Sequence, residues 1–121
     1  MNAENAANEL TNKVYELLET TANTGKIRKG TNEVTKAIER SVAKLVVVAK
    51  DVDPKAIVAH LPLLCKERNI AYIEVPSKKE LGASINLKVS CASAALVDEG
   101  DARKLFKEVV EHVRALNKKQ E

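Results

Sequence analysis

Apolar side chains recur along this chain with two periods, and the switches between them lay out the predicted elements. In residues 8–20, NELTNKVYELLET, Leu10, Val14, Leu17 and Leu18 are three and four apart, which predicts an amphipathic first helix. TANTG then breaks it. The stretch KIRK, residues 26–29, reads as a short edge strand with Ile27 turned inward. Gly30 and Thr31 close that strand, and a second helix is expected from Asn32 to about Arg40 with Thr31 as its cap. Leu45-Val46-Val47-Val48-Ala49 is an unbroken apolar, β-branched run, the mark of a central strand covered on both faces.

Asp53-Pro54 pairs a capping residue with a proline suited to the first helical position, so a third helix is expected there. It would carry Ile57, Val58, Leu61, Leu64 and Cys65 to about Asn69, with Pro62 inside it as a kink or a restart. IAYIEV, residues 70–75, reads as a strand. Ser77-Lys78-Lys79-Glu80 after Pro76 has the spacing of a capping box, opening a short helix that should stop near Gly82. SINLKVS reads as an exposed loop, and CASAALV as a strand of small residues suited to close packing. Leu105, Phe106, Val109, Val110, Val113 and Leu116 place a final helix over residues 101–117. Strands alternating with helices predict an α/β fold: a three-layer α/β/α sandwich around a short, mixed four-stranded sheet. No repeat or linker divides residues 1–121, so a single domain is expected, with its ordered core over about 8–118.

Composition narrows the class. With 45% hydrophobic and 31% charged residues, the chain carries what a globular core needs. Its longest apolar run is far too short to span a bilayer, and the polar start MNAENAANEL has no secretion-signal pattern, so the cytoplasm is the default compartment. Cys65 and Cys91 lack paired spacing. A disulfide between them is conceivable, but two reduced, buried thiols fit such a compartment better.

The net charge of +3 matters less than where it lies. Residues 25–50 hold seven Lys or Arg against Glu33 and Glu39, a local +5, which leaves the remainder at −2. A basic segment on an otherwise balanced chain points to a polyanion, although such runs also serve as plain solvated faces. The glycines around Lys26 do not make a phosphate loop, because Gly30 is followed by Thr31-Asn32 and not by Lys-Ser/Thr. His60 and Cys65 have no second ligand pair for zinc; His60 reads as a core or boundary residue and His112 as a surface one. No serine or cysteine sits near a histidine and an orienting carboxylate in the chain, so neither a catalytic group nor a cofactor is implied. The aromatic residues are Tyr15, Tyr72 and Phe106, too few for the stacking platforms of single-strand readers. Structured RNA, read through its backbone and polar edges, fits this composition better.

The sharpest candidate is GKIRKGTNEVTKAIER, residues 25–40. At about 100° per residue, Asn32, Glu33, Lys36 and Arg40 share one arc of the second helix, while Val34, Ala37 and Ile38 face away. A helix start behind Lys26, Arg28 and Lys29 favours phosphate. Glu33 would repel phosphate, and makes sense if it accepts a hydrogen bond from a base edge beside the donors Asn32 and Lys36. A carboxylate is equally at home at a helix start for its charge alone. Regular A-form RNA hides its base edges in a deep groove, so a base reader of this kind needs a distorted duplex. Two other classes stay open on the residues alone: an enzyme acting on RNA, and a basic scaffold that meets an acidic protein.

The segments KGTNEVTKA, LVVVAKDVDP, HLPLLC and VPSKKELG, in this order, resemble the kink-turn-binding family that takes in archaeal ribosomal L7Ae and the spliceosomal fifteen-and-a-half-kilodalton protein. The resemblance covers about residues 10–117. It implies an α/β/α sandwich, without catalytic activity, that binds sharply bent RNA carrying tandem sheared G·A pairs. Asn32, Glu33 and Lys36 would read the guanines, with Gly30 and Thr31 letting the backbone come close. Asp53 and Ile57 would touch a flipped-out nucleotide, and Lys26, Lys29, Arg40 and Lys78 would meet or attract phosphates. Leu87-Lys88-Val89-Ser90 stands where the family packs on protruding bases, and departs from the Arg-Pro version of eukaryotic relatives. The implied partners are ribosomal RNA, box C/D and H/ACA guide RNAs and ribonuclease P RNA, with a Nop-type scaffold and fibrillarin in box C/D particles. The absence of long extensions is similar to archaeal members.

Overall fold

The computed structural model describes the backbone of residues 3–119 and the side chains of residues 9–118. Among the described residues, five α-helices alternate with four strands: α1 (Ala3–Thr24), β1 (Lys26–Lys29), α2 (Thr31–Glu39), β2 (Leu45–Ala49), α3 (His60–Glu67), β3 (Ala71–Val75), α4 (Lys78–Ser84), β4 (Ser93–Asp98) and α5 (Arg103–Lys119). A single 3-10 turn, Lys55–Ile57, precedes α3.

The sheet runs β1-β4-β2-β3. β2 and β3 are parallel, while β4 is antiparallel to both β1 and β2, so the sheet is mixed. α1, α4 and α5 pack together on one face, and α2 and α3 on the other. Every residue of β2 is buried, as a strand covered on both faces must be. β4 meets its helices through Ser93, Ala94, Ala95 and Leu96, all without exposure, and small side chains are what allow that approach. KIRK lies at the sheet edge with Ile27 packed on the core.

Three local expectations are corrected and one is met. α1 does not break at Thr21 but runs to Thr24, because Thr21 continues the buried stripe of Leu10, Val14, Leu17 and Leu18. Gly25 ends it: a Cβ there would lie 2.0 Å from the Asp98 carbonyl oxygen, so the chain turns where only glycine fits. No helix starts at Asp53-Pro54, since Pro54 is extended (ψ 148) and leads only into the 3-10 turn. Pro62 consequently falls third in α3, where an amide N–H lacks an intrahelical partner in any case, so of the kink or restart expected at this proline the chain makes the restart, beginning α3 two residues ahead of it. Gly82 does not stop α4, which continues to Ser84; this glycine is buried against the chain that follows.

Candidate nucleic-acid interface

The strand register gathers the candidate segments at one end of the sheet. Lys29 lies opposite Ala94, Val48 opposite Ser93, and Ala49 opposite Val75. The turn from β1 into α2, the segment after β2, the start of α4 and the chain entering β4 therefore emerge side by side. Hydrogen bonds stitch them together. Gly30 N–H donates to the Ser93 carbonyl (3.1 Å), Ala49 N–H to that of Ala92 (3.0 Å), and Cys91 N–H to that of Lys78 (2.9 Å). Lys78 N–H donates in turn to Asp51 Oδ1 (2.8 Å).

α2 begins one residue earlier than predicted, and its cap is Gly30, not Thr31. Gly30 has φ 89 and ψ 144, a conformation that L side chains rarely adopt, and nothing lies within 4 Å of where its Cβ would be. The glycine is thus required by the backbone, and the surface in front of it is open. Thr31 is the first helical residue; its hydroxyl pairs with that of Ser93 (3.2 Å) instead of capping the helix. Val34 N–H is the first to bond within the helix, to the Gly30 carbonyl (2.9 Å), which leaves the amides of Thr31, Asn32 and Glu33 without intrahelical acceptors.

Asn32 and Glu33 are exposed, on the side opposite the buried Val34, Ala37 and Ile38. Glu33 and Lys36 stand 3.7 Å apart with more than half of each side chain in solvent. Such a pair contributes only about 0.2–0.5 kcal/mol, little enough for a ligand to separate it. The hydroxyl of Thr35 donates to the Thr31 carbonyl (2.8 Å) and also lies 2.9 Å from His60 Nε2. Through this contact α3 braces the first turn of α2.

The remaining predicted residues fall into two groups. Lys29, Lys36, Asp53, Ile57, Lys88, Val89 and Ser90 are exposed at or next to this end, and Lys78 and Leu87 are half-buried there. Val89 and Ile57 stand out as apolar side chains left in solvent, 70% and 46% exposed. Leu87 N–H donates to the Gly82 carbonyl (2.9 Å), which holds the 87–90 loop on α4. Lys26 and Arg40 are exposed but lie away from the centre. Lys26 sits at the other end of β1 opposite Asp98, and Arg40 follows α2 at its far end, about 12 Å along the axis from Asn32.

Tyr15, Tyr72 and Phe106 are half-buried and pack against the core instead of standing out as a stacking platform. Burial pushes the phenols of Tyr15 and Tyr72 up, and the Cys65 thiol to about 12, keeping all three neutral. Both cysteines are buried and unpaired with each other. Among the described residues, no group of His, Cys, Asp and Glu is arranged to hold a metal ion.

Sequence reasoning missed Asp51, His60, Gly82 and Ser93 as supports of this surface. His60 is exposed and not a core residue, because it faces Thr35 across the gap between α3 and α2. Asp51, His60 and Ser93 act through residues distant in the chain, and Gly82 through the loop that follows it.

A family model described as Ribosomal protein L7Ae/L30e/S12e/Gadd45 family matches residues 12–106, a span that contains every candidate residue above. Among solved structures, the Giardia lamblia 15.5kD RNA binding protein aligns with a TM-score of 0.81 at 35% identity. The alignment covers 89% of this chain and 90% of that one.

Proposed function

From the premise that this chain belongs to the Ribosomal protein L7Ae/L30e/S12e/Gadd45 family, we propose that it binds RNA and recognises kink-turns, bent duplexes with tandem sheared G·A pairs. It is a binding protein and not an enzyme, as its family is. The likeness to the Giardia lamblia 15.5kD RNA binding protein supports RNA as the ligand. The observation that carries the finer reading is the exposed Asn32-Glu33 pair, set behind an open Gly30 on the surface that also bears Lys29, Lys36 and Lys78.

Sheared pairing turns guanine O6, N7 and N1–H outward. The Asn32 amide and the Lys36 ammonium are donors suited to O6 and N7, and the Glu33 carboxylate is an acceptor suited to N–H. Three free amides and the dipole at the start of α2, with Lys29 and Lys78 beside them, attract the phosphates of the bend. Asp53 and Ile57 on one flank and Leu87–Ser90 on the other offer polar and apolar surface to bases that the bend throws out. Arg40 and Lys26 add longer-range attraction.

The RNAs proposed are ribosomal RNA, box C/D and H/ACA guide RNAs and ribonuclease P RNA, on which the protein would nucleate assembly in the cytoplasm. A Nop-type scaffold and fibrillarin would join it on box C/D RNA. The test is a gel shift with a synthetic kink-turn and the same RNA with its G·A pairs replaced by G·C. Binding to the first at least about tenfold tighter, the yield of one good base contact, is expected; equal binding refutes kink-turn recognition.

A further inference from the structure

We infer that Ser93 is a positioning residue for the base-reading turn of α2, an inference that rests on the RNA reading above. Ser93 opens β4 and has no exposure. It nevertheless holds the turn at two consecutive residues. Its carbonyl accepts the Gly30 N–H at 3.1 Å, and its hydroxyl pairs with that of Thr31 at 3.2 Å. The same carbonyl accepts the Cys91 S–H at 3.0 Å, so the chain leaving the 87–90 loop is fastened to the same group.

A tether is needed here for a physical reason. Gly30 is the most freely rotating kind of residue, held at a positive φ with nothing within 4 Å of where a Cβ would stand to restrain it. Without Ser93, the orientation of Thr31 and Asn32 would rest on the helix and the Thr35–His60 contact behind it. A buried, two-point anchor on a strand of the central sheet removes that freedom before RNA arrives, so the ordering cost does not fall on binding. The hydroxyl half can be removed without disturbing the sheet, since Ser93→Ala deletes one atom from a strand that already carries Ala94 and Ala95.

The experiment is a double-mutant cycle with Ser93→Ala and Thr31→Val, read as affinity for the G·A kink-turn and for its G·C counterpart. Each single variant should weaken kink-turn binding about three- to tenfold, the value of one neutral hydrogen bond, and Ser93→Ala should leave the G·C affinity unchanged. Because the two hydroxyls serve each other, the double variant should lose no more than the larger single loss. Losses that multiply, a Ser93→Ala variant that binds like the parent, or equal losses on both RNAs would overturn the inference. Amide exchange of the RNA-free protein supplies the readout that does not depend on RNA. Ser93→Ala should speed exchange at Gly30, whose N–H is bonded to the Ser93 carbonyl, and not along β2, and unchanged exchange at Gly30 overturns the positioning role. If the parent itself fails to discriminate between the RNAs, the functional reading falls, and the exchange data alone decide whether Ser93 holds the turn.

Discussion

Gly82 offers the strictest test of how the 87–90 loop is held. It lies inside α4, where glycine is ordinarily unfavourable by about 0.5–1 kcal/mol relative to alanine. Alanine there should therefore stabilise the helix, taken by itself. Across the groove, however, a Cβ at residue 82 would sit 2.2 Å from the Val89 carbonyl oxygen, 3.2 Å from its carbon and 3.3 Å from Cys91 N. Ordinary contact begins at 3.4 Å, so the oxygen must withdraw by 3.4 − 2.2 = 1.2 Å. It is backbone, and tied by Leu87 N–H to Gly82 and by Cys91 N–H to Lys78, so it cannot rotate aside. Overpacking of this kind costs about 1–3 kcal/mol, which outweighs the helical gain and leaves Gly82→Ala destabilised by roughly 1–2 kcal/mol. Urea denaturation measures this, and RNA titration should show weaker kink-turn binding with G·A preference kept, since α2 is untouched. A Gly82→Ala protein as stable as its parent, with unaltered RNA affinity, would refute the claim that this glycine seats the loop.

Other predictions concern the core and the charges. The Thr21 hydroxyl is buried without a hydrogen-bond partner, so Thr21→Val should raise stability by about 1 kcal/mol, read as a higher denaturation midpoint. The Lys44 ammonium, 2.8 Å away, holds the Glu99 carboxyl below its usual pKa. A depressed folded pKa gives stability that is present above the unfolded value near 4.5 and is lost as pH falls through the folded value, so Lys44→Ala should flatten the acid side of the stability profile and change little once the carboxyl is protonated. Lys29→Ala should weaken binding to kinked and straight RNA alike and reduce the salt slope by about one, as loss of a phosphate contact does.

The parts of this fold that were legible are those where a residue's own neighbours decide its state. LVVVA could only be a covered strand, and the spacing of Val34, Ala37 and Ile38 already put Asn32 and Glu33 on an outer face. Ser77 accepts the Glu80 N–H as its capping pattern implied. The misreadings came where a distant contact overrules the local rule. Gly82 reads as a helix stop until Val89 is known to lie against it, and Thr21 as a breaker until its place on the buried stripe is seen. Thr31 has the residue type of a cap, yet its hydroxyl is claimed by Ser93, sixty-two positions along the chain. Ser93, His60 and Asp51 were illegible as parts of the site for the same reason: they act on the surface through backbone and hydroxyl groups of other elements.

The central claim, that Glu33 reads a nucleobase, is tested most directly by the affinity of Glu33→Ala for the G·A kink-turn and for a straight duplex of equal length. Losing the base contact should cost about 1–3 kcal/mol on the kink-turn. On the straight duplex the same change removes a negative charge and frees Lys36 from its partner 3.7 Å away, so affinity there should hold or rise. Opposite or diverging responses on the two RNAs are the predicted result. An equal change on both would contradict base reading and leave Glu33 as a surface charge at a helix start.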